Sequence, residues 1–437
     1  MSGVQIGFAG LAVLLLLLAI RVPIGIALIG VSFSGIWALV GWNVAWGSIG
    51  IIPYQFSANW VLSSIPMFLL LGFVSYHAQL TKGLFDAARV WLARLPGGLA
   101  ISAVIGSSGF AAVCGSSVAC SAAMGRIAVP EMLKSKYHPE LATGTVAVAG
   151  TIGALIPPSI LMILYGVIAR QSVPQLFIAG FAIGILSAIA YILVIVIRVK
   201  LNPALAPSVS TSIGRAEKWR ALGDTWPILL VMLGIFAGIF GGVFTATEAG
   251  GLGASMACVV GLAKRTLNWQ RFRLAAVETL ITTSALIIIG VGASLFARFL
   301  ALSGVGSVIS DAVLGVSDSN LVIVLLIVLV YLVLGCFLEP LGALLLTMPI
   351  VLPIIESGGH NMIWFGVLLV KLLEIGMITP PVGMNIFVIK GVVGNTVSLT
   401  SIFRGVLWFL VADVILVLLM VFFPEITLFP LRFLSGG

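Results

Sequence analysis

Charged residues are scarce in this sequence: 22 Lys and Arg and 14 Asp and Glu among 437 residues, 8% of the chain, where a soluble domain carries about 25%. With 61% of its residues hydrophobic, a water-soluble chain of this length would have too little polar surface to cover its apolar side chains, so the solvent for most of it is lipid. That excludes a cytosolic enzyme, a nucleic-acid binder and a disordered scaffold. Cysteine is also sparse. Cys114, Cys120, Cys258 and Cys336 sit inside apolar stretches without CxxC spacing or a histidine partner, which argues against a disulfide framework and a zinc site and leaves them as small packing residues. The three histidines, His77, His138 and His360, are far apart and form no metal spacing. The sequence holds no GxxxxGKS or GxxxxGKT phosphate loop, no intramembrane Ser-His pair and no paired aspartates. An ATP-driven pump and an intramembrane enzyme are therefore both poor readings, and no organic cofactor is expected.

What is abundant is apolar sequence long enough to cross roughly 30 Å of hydrocarbon, for which a helix needs ~20 residues. The runs are 4–20, 22–40, 60–79, 97–130, 141–169, 175–198, 225–243, 246–264, 274–302, 320–356, 362–390 and 400–423. The first lacks a basic leader and a small-residue cleavage site, and so is expected to be a membrane helix. Runs 97–130 and 320–356 exceed one crossing and are interrupted by Gly115-Ser116-Ser117 and by Glu339-Pro340, so each reads as a re-entrant hairpin. Counting crossings on that basis places 18 of the 22 basic residues in cytoplasmic stretches, which matches the positive-inside bias. The formal charge of +8 then records topology and needs no polyanionic partner. Trp37, Trp42, Trp46 and Trp60 flank an uncharged outer loop as an interfacial belt.

Residues 201–224 form a polar linker with Pro203, Pro207, Ser208, Ser210, Ser212 and a basic cluster. It divides the chain into a first half, 1–200, and a second, 225–437. A fixed offset of 223 carries landmarks across it: Gly153-x-x-x-Pro157-Pro158 falls on Gly376-x-x-x-Pro380-Pro381, Pro130 on Pro353, and the tip 115–117 on 338–340. Halves that enter the membrane from opposite faces form an inverted-topology repeat, a signature of secondary transporters. The expected fold is an all-α polytopic membrane protein with two re-entrant hairpins and two broken helices, 141–169 and 362–390.

Proline has no N–H to give the carbonyl four residues back. Pro157 and Pro158 therefore release the carbonyls of Gly153 and Ala154, and Pro380 and Pro381 those of Gly376 and Met377. Freed carbonyls at membrane depth need water, a side chain or a cation; a plain proline kink is the alternative. Neutral oxygens gather at the same places on Ser116, Ser117, Ser159, Thr379 and Asn385, although a membrane Ser or Thr more often bonds its own helix. Of the acids in apolar runs, Glu339 and Glu374 are candidates for hydrogen bonding or a proton relay, with an N-cap as the alternative for Glu339. Glu248 reads as a capping acid, and Asp413 as a packing partner for another subunit. For an organic anion, Arg298 is favoured over Lys371 as counter-charge because guanidinium matches carboxylate geometry, with snorkelling as the alternative for both. Ser117, Arg298, Glu339 and Asn385 are the candidate substrate contacts.

The segments GSSVACSAAMGRIAVPEM, GALIPPSI, GGVFTATEAG and EIGMITPPVGMNIFV resemble the large membrane subunit (DctM-like, M subunit) of tripartite ATP-independent periplasmic transporters. The resemblance implies a multi-pass bacterial inner-membrane protein that imports an organic acid with Na⁺ by an elevator motion. It also implies a soluble periplasmic binding protein (P-type) and a small four-helix membrane subunit (Q-type) as partners. Carried onto this sequence, it implies Ser116, Gly153, Ile156 and Ser159 for one Na⁺ and Gly335, Gly376, Thr379 and Val382 for a second. The runner-up is a stand-alone proton- or Na⁺-coupled organic-anion symporter or antiporter, using Glu339 or Glu374.

Overall fold

The computed structural model describes residues 2–207, 214–315 and 319–434, and the regular structure in them is helical. Ser208, Ser210 and Ser212 of the expected linker lie outside the described residues. The first half runs α1 (Gly3–Ala19), α2 (Ile24–Val40), α3 (Trp42–Ser57), α4 (Ser64–His77) and α5 (Lys82–Leu92). It continues with α6 (Gly98–Cys114), α7 (Ser117–Lys134), α8 (Pro139–Ala149), α9 (Ile160–Ile168) and α10 (Val173–Leu201), with 3-10 turns at Trp60–Ser63 and Gly150–Ala154. After the short α11 (Arg215–Gly223) come α12 (Trp226–Phe240), α13 (Ala246–Ala263), α14 (Trp269–Ser303), α15 (Val305–Leu314) and α16 (Asn320–Gly335). The chain ends with α17 (Pro340–Ser357), α18 (Met362–Gly376), α19 (Met384–Val393), α20 (Leu399–Phe422) and α21 (Glu425–Leu434).

Subtracting 223 from the second-half numbers places α12 on 3–17, α13 on 23–40, α14 on 46–80 and α15 on 82–91. The same shift places α16 on 97–112, α17 on 117–134, α18 on 139–153, α19 on 161–170 and α20 on 176–199. Each image coincides, within a few residues, with a first-half element, so the offset seen at three sequence landmarks governs the whole chain. The main departure is α14, a single helix where the first half has α3, a 3-10 turn and α4. The local sequence accounts for it. Pro53 and Pro66 withhold amide protons, and the Asn59 side chain accepts from the Val61 amide to start a new turn; the offset replaces the two prolines by Ala276 and Ile289, which let the helix run on.

Six described helices are long and apolar enough to cross a membrane: residues 60–77, α10, α13, α14, α17 and α20. The count is lower than the number of apolar runs because runs 97–130, 141–169 and 362–390 are each cut into two pieces near residues 115, 155–159 and 377–383, run 320–356 is cut near 336–339 and contributes only α17, and α1, α2 and α12 are only 17, 17 and 15 residues long. Of the acids read as caps, Glu248 forms a capping box with Thr245 at the start of α13, as expected. Trp37, Trp42, Trp46 and Trp60 are all exposed, with Trp42 and Trp46 stacked.

At the centre lie α8 and α18. Every residue of Leu141–Ala149 and of Ile363–Gly376 is buried, as befits helices that are covered all round. The α6–α7 hairpin packs on α8, and the α16–α17 hairpin packs on α18. The long helices then exchange partners, α10 packing on α18 and α20 on α8, so each half braces the broken helix of the other.

Candidate functional site

The first hairpin turns at Gly115, whose φ of +64° lies in the left-handed region. Only glycine suits this point on two counts: the torsion, and a Cβ that would come within 2.3 Å of the Pro158 carbonyl oxygen. Ser116 follows in extended conformation and caps α7, its Oγ accepting from the Ala119 amide at 3.5 Å. The broken helix approaches from the other side. A Cβ on Gly153 would sit 3.0 Å from the Ser116 oxygen, so backbone meets backbone there. Ser159 is fully buried and caps α9, accepting from the Met162 amide at 3.3 Å, and Ile156 is buried beside the turn.

The second half repeats this with different residues. α16 ends at Gly335 and α18 at Gly376, and a Cβ on Gly376 would lie within 2.4–2.5 Å of the Gly335 Cα, C and O atoms. The backbone continues through Thr379 and the exposed Val382 to Gly383, left-handed at φ +62°, which begins α19. Glu339 occupies the N-cap of α17, but its carboxylate makes no capping bond and instead faces the cavity described below.

The expectation of four freed carbonyls holds in one half and needs correction in the other. No amide outside the helices donates to Gly153 or Ala154 among the described residues. Gly376 O, however, accepts from the Thr379 amide at 3.2 Å and Met377 O from the Asn385 amide at 3.0 Å, while the Thr379 hydroxyl donates to Ile375 O at 2.6 Å. For Met377 the difference traces to one residue. Ser159 captures the Met162 amide with its hydroxyl; the offset puts Val382 at the serine position and Asn385 at the methionine, and valine has no acceptor, so the Asn385 amide turns to Met377. A carbonyl has two lone pairs, so Gly376 retains one for another partner. Both sets consist of neutral oxygens suited to a monovalent cation.

Both tips open on one cavity of about 460 Å³, lined by Ser116, Ser117, Glu339, Pro340, Glu374 and Met377 among others. Glu374 is 1% exposed, lies beside Ser117, and leaves its Oε2 without a partner. Asn385 is buried near this region, donating to Ala147 O at 3.4 Å with its Oδ1 unpartnered. Arg298 is not brought in: it is exposed on α14 and does not line the cavity.

Two readings of charge are corrected by the packing. Lys371, read as a candidate counter-charge with snorkelling as the alternative, is 0% exposed, and its Nζ lies 2.6 Å from Oδ1 of Asp413. Asp413, expected to meet another subunit, is 1% exposed for the same reason. Tyr191 of α10 donates its hydroxyl to the same Asp413 oxygen at 2.8 Å, and Lys371 donates to Ser187 Oγ and Tyr191 Oη at 3.2 Å each. Sequence reasoning missed Tyr191 and Ser187, and also Thr151, whose Oγ1 lies 3.1 Å from the Tyr191 hydroxyl oxygen. The available signal was that a lone Lys and a lone Asp in neighbouring apolar runs each need a partner.

Residues 11–426 match the tripartite ATP-independent periplasmic transporter, DctM component. The chain is 32% identical over 418 residues to the sialic acid TRAP transporter large permease protein SiaM of Vibrio cholerae, covering 93% of this chain and 96% of that protein. It is 35% identical over 384 residues to the C4-dicarboxylate TRAP transporter large permease protein DctM of Pseudomonas aeruginosa, covering 87% and 88%. Among solved structures, the Alcanivorax borkumensis YdaH transporter aligns with a TM-score of 0.58 at 17% identity over 86% of this chain and 87% of that one, a likeness of fold alone. The chain belongs to the DctM family of tripartite ATP-independent periplasmic transporters and is a multi-pass protein of the inner membrane.

Proposed function

We propose that this chain is a secondary active importer that couples the Na⁺ gradient to uptake of a small organic acid by an elevator motion. The observation that carries the reading is the repeated meeting of hairpin tip and broken helix on either side of one cavity. In it, Ser116, Gly153, Ile156 and Ser159 hold one Na⁺ and Gly335, Gly376, Thr379 and Val382 the other. Na⁺ at each place draws tip and broken helix together and closes the pocket, in which Ser117 and Glu339 contact the substrate, while the buried Asn385 stands behind its wall. A charge moving down 100 mV yields about 2.3 kcal/mol, so two ions supply about 4.6 kcal/mol for concentration. Inverted halves and re-entrant hairpins give the opposed gates such a cycle needs. Relatives named for sialic acid and C4-dicarboxylate support an organic acid as cargo. The tripartite character of the family supports two partners, a small four-helix membrane subunit and a soluble periplasmic binding protein.

The test is uptake of a labelled organic acid into proteoliposomes under an imposed Na⁺ gradient, with and without the binding protein. Uptake that needs both is expected. Uptake indifferent to Na⁺ overturns the coupling, and uptake without the binding protein favours a stand-alone symporter. A narrower prediction concerns the second broken helix. Replacing Pro380 and Pro381 together by alanine restores two amide donors and lets the helix close over Gly376 and Met377, so the Na⁺ concentration for half-maximal uptake should rise about tenfold, the equivalent of ~1.4 kcal/mol. An unchanged half-saturation would remove Gly376 and Thr379 from the ion site.

A further inference from the structure

The cavity between the hairpin tips has an unexpected balance of charge for a site that takes an organic anion. The carboxyl groups of Glu339 and Glu374 line it, and no Lys, Arg or His does among the described residues. An anion entering it meets like charge unless a carboxyl is neutral. The two acids differ in their access to water. Glu339 is exposed at the N-cap of α17, where water and the helix N-terminus can serve a charge. Glu374 is 1% exposed in the last turn of α18, beside Ser117 of the first tip, and its Oε2 has no partner.

The nearest cation is committed elsewhere. Lys371, one turn earlier on the same helix, gives its three protons to Asp413 Oδ1 at 2.6 Å and to Ser187 Oγ and Tyr191 Oη at 3.2 Å each, so Asp413 already matches its charge. The other titratable groups around Glu374 are Asp413 on α20, Tyr191 on α10 and Cys120 on α7, with Cys114 and Glu339 on the cavity wall, and none of them is a cation. The remaining elements packed on α18 hold theirs away from it. Tyr165 of α9 bonds Met362 O at the opposite end of α18, Tyr331 of α16 bonds Thr347, Glu425 of α21 pairs with Arg432, and Glu356 of α17 is exposed at the far end of that helix. The repeat shows that the fold itself needs no acid here: under the 223 offset Glu374 falls on Thr151, whose hydroxyl donates to Val148 O one turn back. A buried acid in the membrane that packing does not require points to function.

We infer that Glu374 is a proton-binding site of this cavity and that H⁺ enters together with the cargo, an inference that rests on the organic-acid import proposed above. With the cavity open to the outside, the Glu374 carboxylate takes a proton from water. The neutral carboxyl removes the repulsion that an anion would meet, and its O–H adds a donor to a cavity without basic side chains. Once the cavity opens to the cytoplasm, water reaches the carboxyl and accepts the proton. The restored carboxylate then favours departure of the anion and accepts from the neighbouring Ser117 hydroxyl. One proton is taken up outside and one released inside for each cargo molecule.

The experiment uses the proteoliposome assay described above, with the binding protein, a fixed Na⁺ gradient, the membrane potential clamped and a pH-sensitive dye in the lumen. Uptake by the wild type should acidify the lumen, and an inward pH gradient should raise cargo accumulation by up to about tenfold per unit, as one proton per cargo requires. Glu374→Gln should abolish both the acidification per cargo taken up and the response to the pH gradient. A structural role for Glu374 would instead lower uptake while the lumen still acidified in proportion to cargo. A second measurement needs no variant and holds even if Glu374→Gln fails to fold: a hydrophobic carbodiimide, which attacks protonated carboxyls, should modify Glu374 of the purified wild type at acidic pH and less at alkaline pH, read by peptide mass spectrometry. Na⁺-driven uptake without acidification overturns the inference and spares the reading beneath it. Acidification retained in Glu374→Gln, or no modification of Glu374 at acidic pH, overturns it as well. Uptake that ignores Na⁺ overturns the coupling proposed above, and the dye still decides whether protons enter with the cargo.

Discussion

Gly376→Ala is expected to cut Na⁺-driven uptake more deeply than any other single change at the two broken helices. The added methyl would lie within 2.4–2.5 Å of three backbone atoms of Gly335, and backbone has no rotamer by which to step aside. Overpacking costs about 1–3 kcal/mol even where side chains can adjust; here tip and broken helix must separate, so the Na⁺ concentration for half-maximal uptake should rise about 10- to 100-fold at ~1.4 kcal/mol per decade. The neighbouring glycines grade the effect. On Gly335 the methyl would sit 3.1 Å from the Gly376 Cα, and on Gly153 3.0 Å from the Ser116 oxygen, contacts that a shift of a few tenths of an ångström relieves. Na⁺ titration of uptake by the three alanine variants should rank Gly376 above the other two. Wild-type Na⁺ dependence in Gly376→Ala would refute the proposed second site.

The second large effect is on stability. Asp413→Ala leaves the Lys371 ammonium at 0% exposure without its carboxylate, and an orphaned buried charge costs about 3–5 kcal/mol. Thermal unfolding of the detergent-solubilised protein should fall by about 5 °C or more on that account. The double variant Lys371→Met, Asp413→Leu removes both charges and should recover most of the loss, since a buried pair replaced by apolar side chains is often neutral. It tests the ion pair directly: equal destabilisation in single and double variants would mean that packing, and not charge, carries the effect of Asp413.

Glycine and proline made the repeat legible in the sequence. At Gly153, Gly376 and the two PP pairs the backbone itself dictates the residue, through close approach or a missing amide, so both halves display the same letters at a fixed spacing. Along the apolar helices any large aliphatic side chain serves, and corresponding bounds such as 117–134 and 340–357 share little lettering beyond Ile127 with Ile350 and the landmark Pro130 with Pro353. The broken helices were legible for the first reason, and the full extent of the repeat was hidden by the second. Val382 in place of Ser159 shows the limit of the correspondence: one hydroxyl decides whether a carbonyl stays open or receives the Asn385 amide.

The charges divide in the same way. Their scarcity placed the chain in lipid, and their distribution over loops fixed an expected topology, because solvation acts on each residue where it stands. Pairing is different, because it depends on which helices become neighbours. Lys371 and Asp413 are 42 residues apart and Tyr191 lies 180 residues from Lys371, with no spacing to join them; only the crossing of α10 and α20 over the central helices brought them within hydrogen-bond reach. Composition, backbone chemistry and period belong to the sequence because they act locally. Which buried charge meets which, and which glycine touches which tip, belongs to the tertiary structure, where a lone ion in a low-dielectric interior is tolerated only beside its partner.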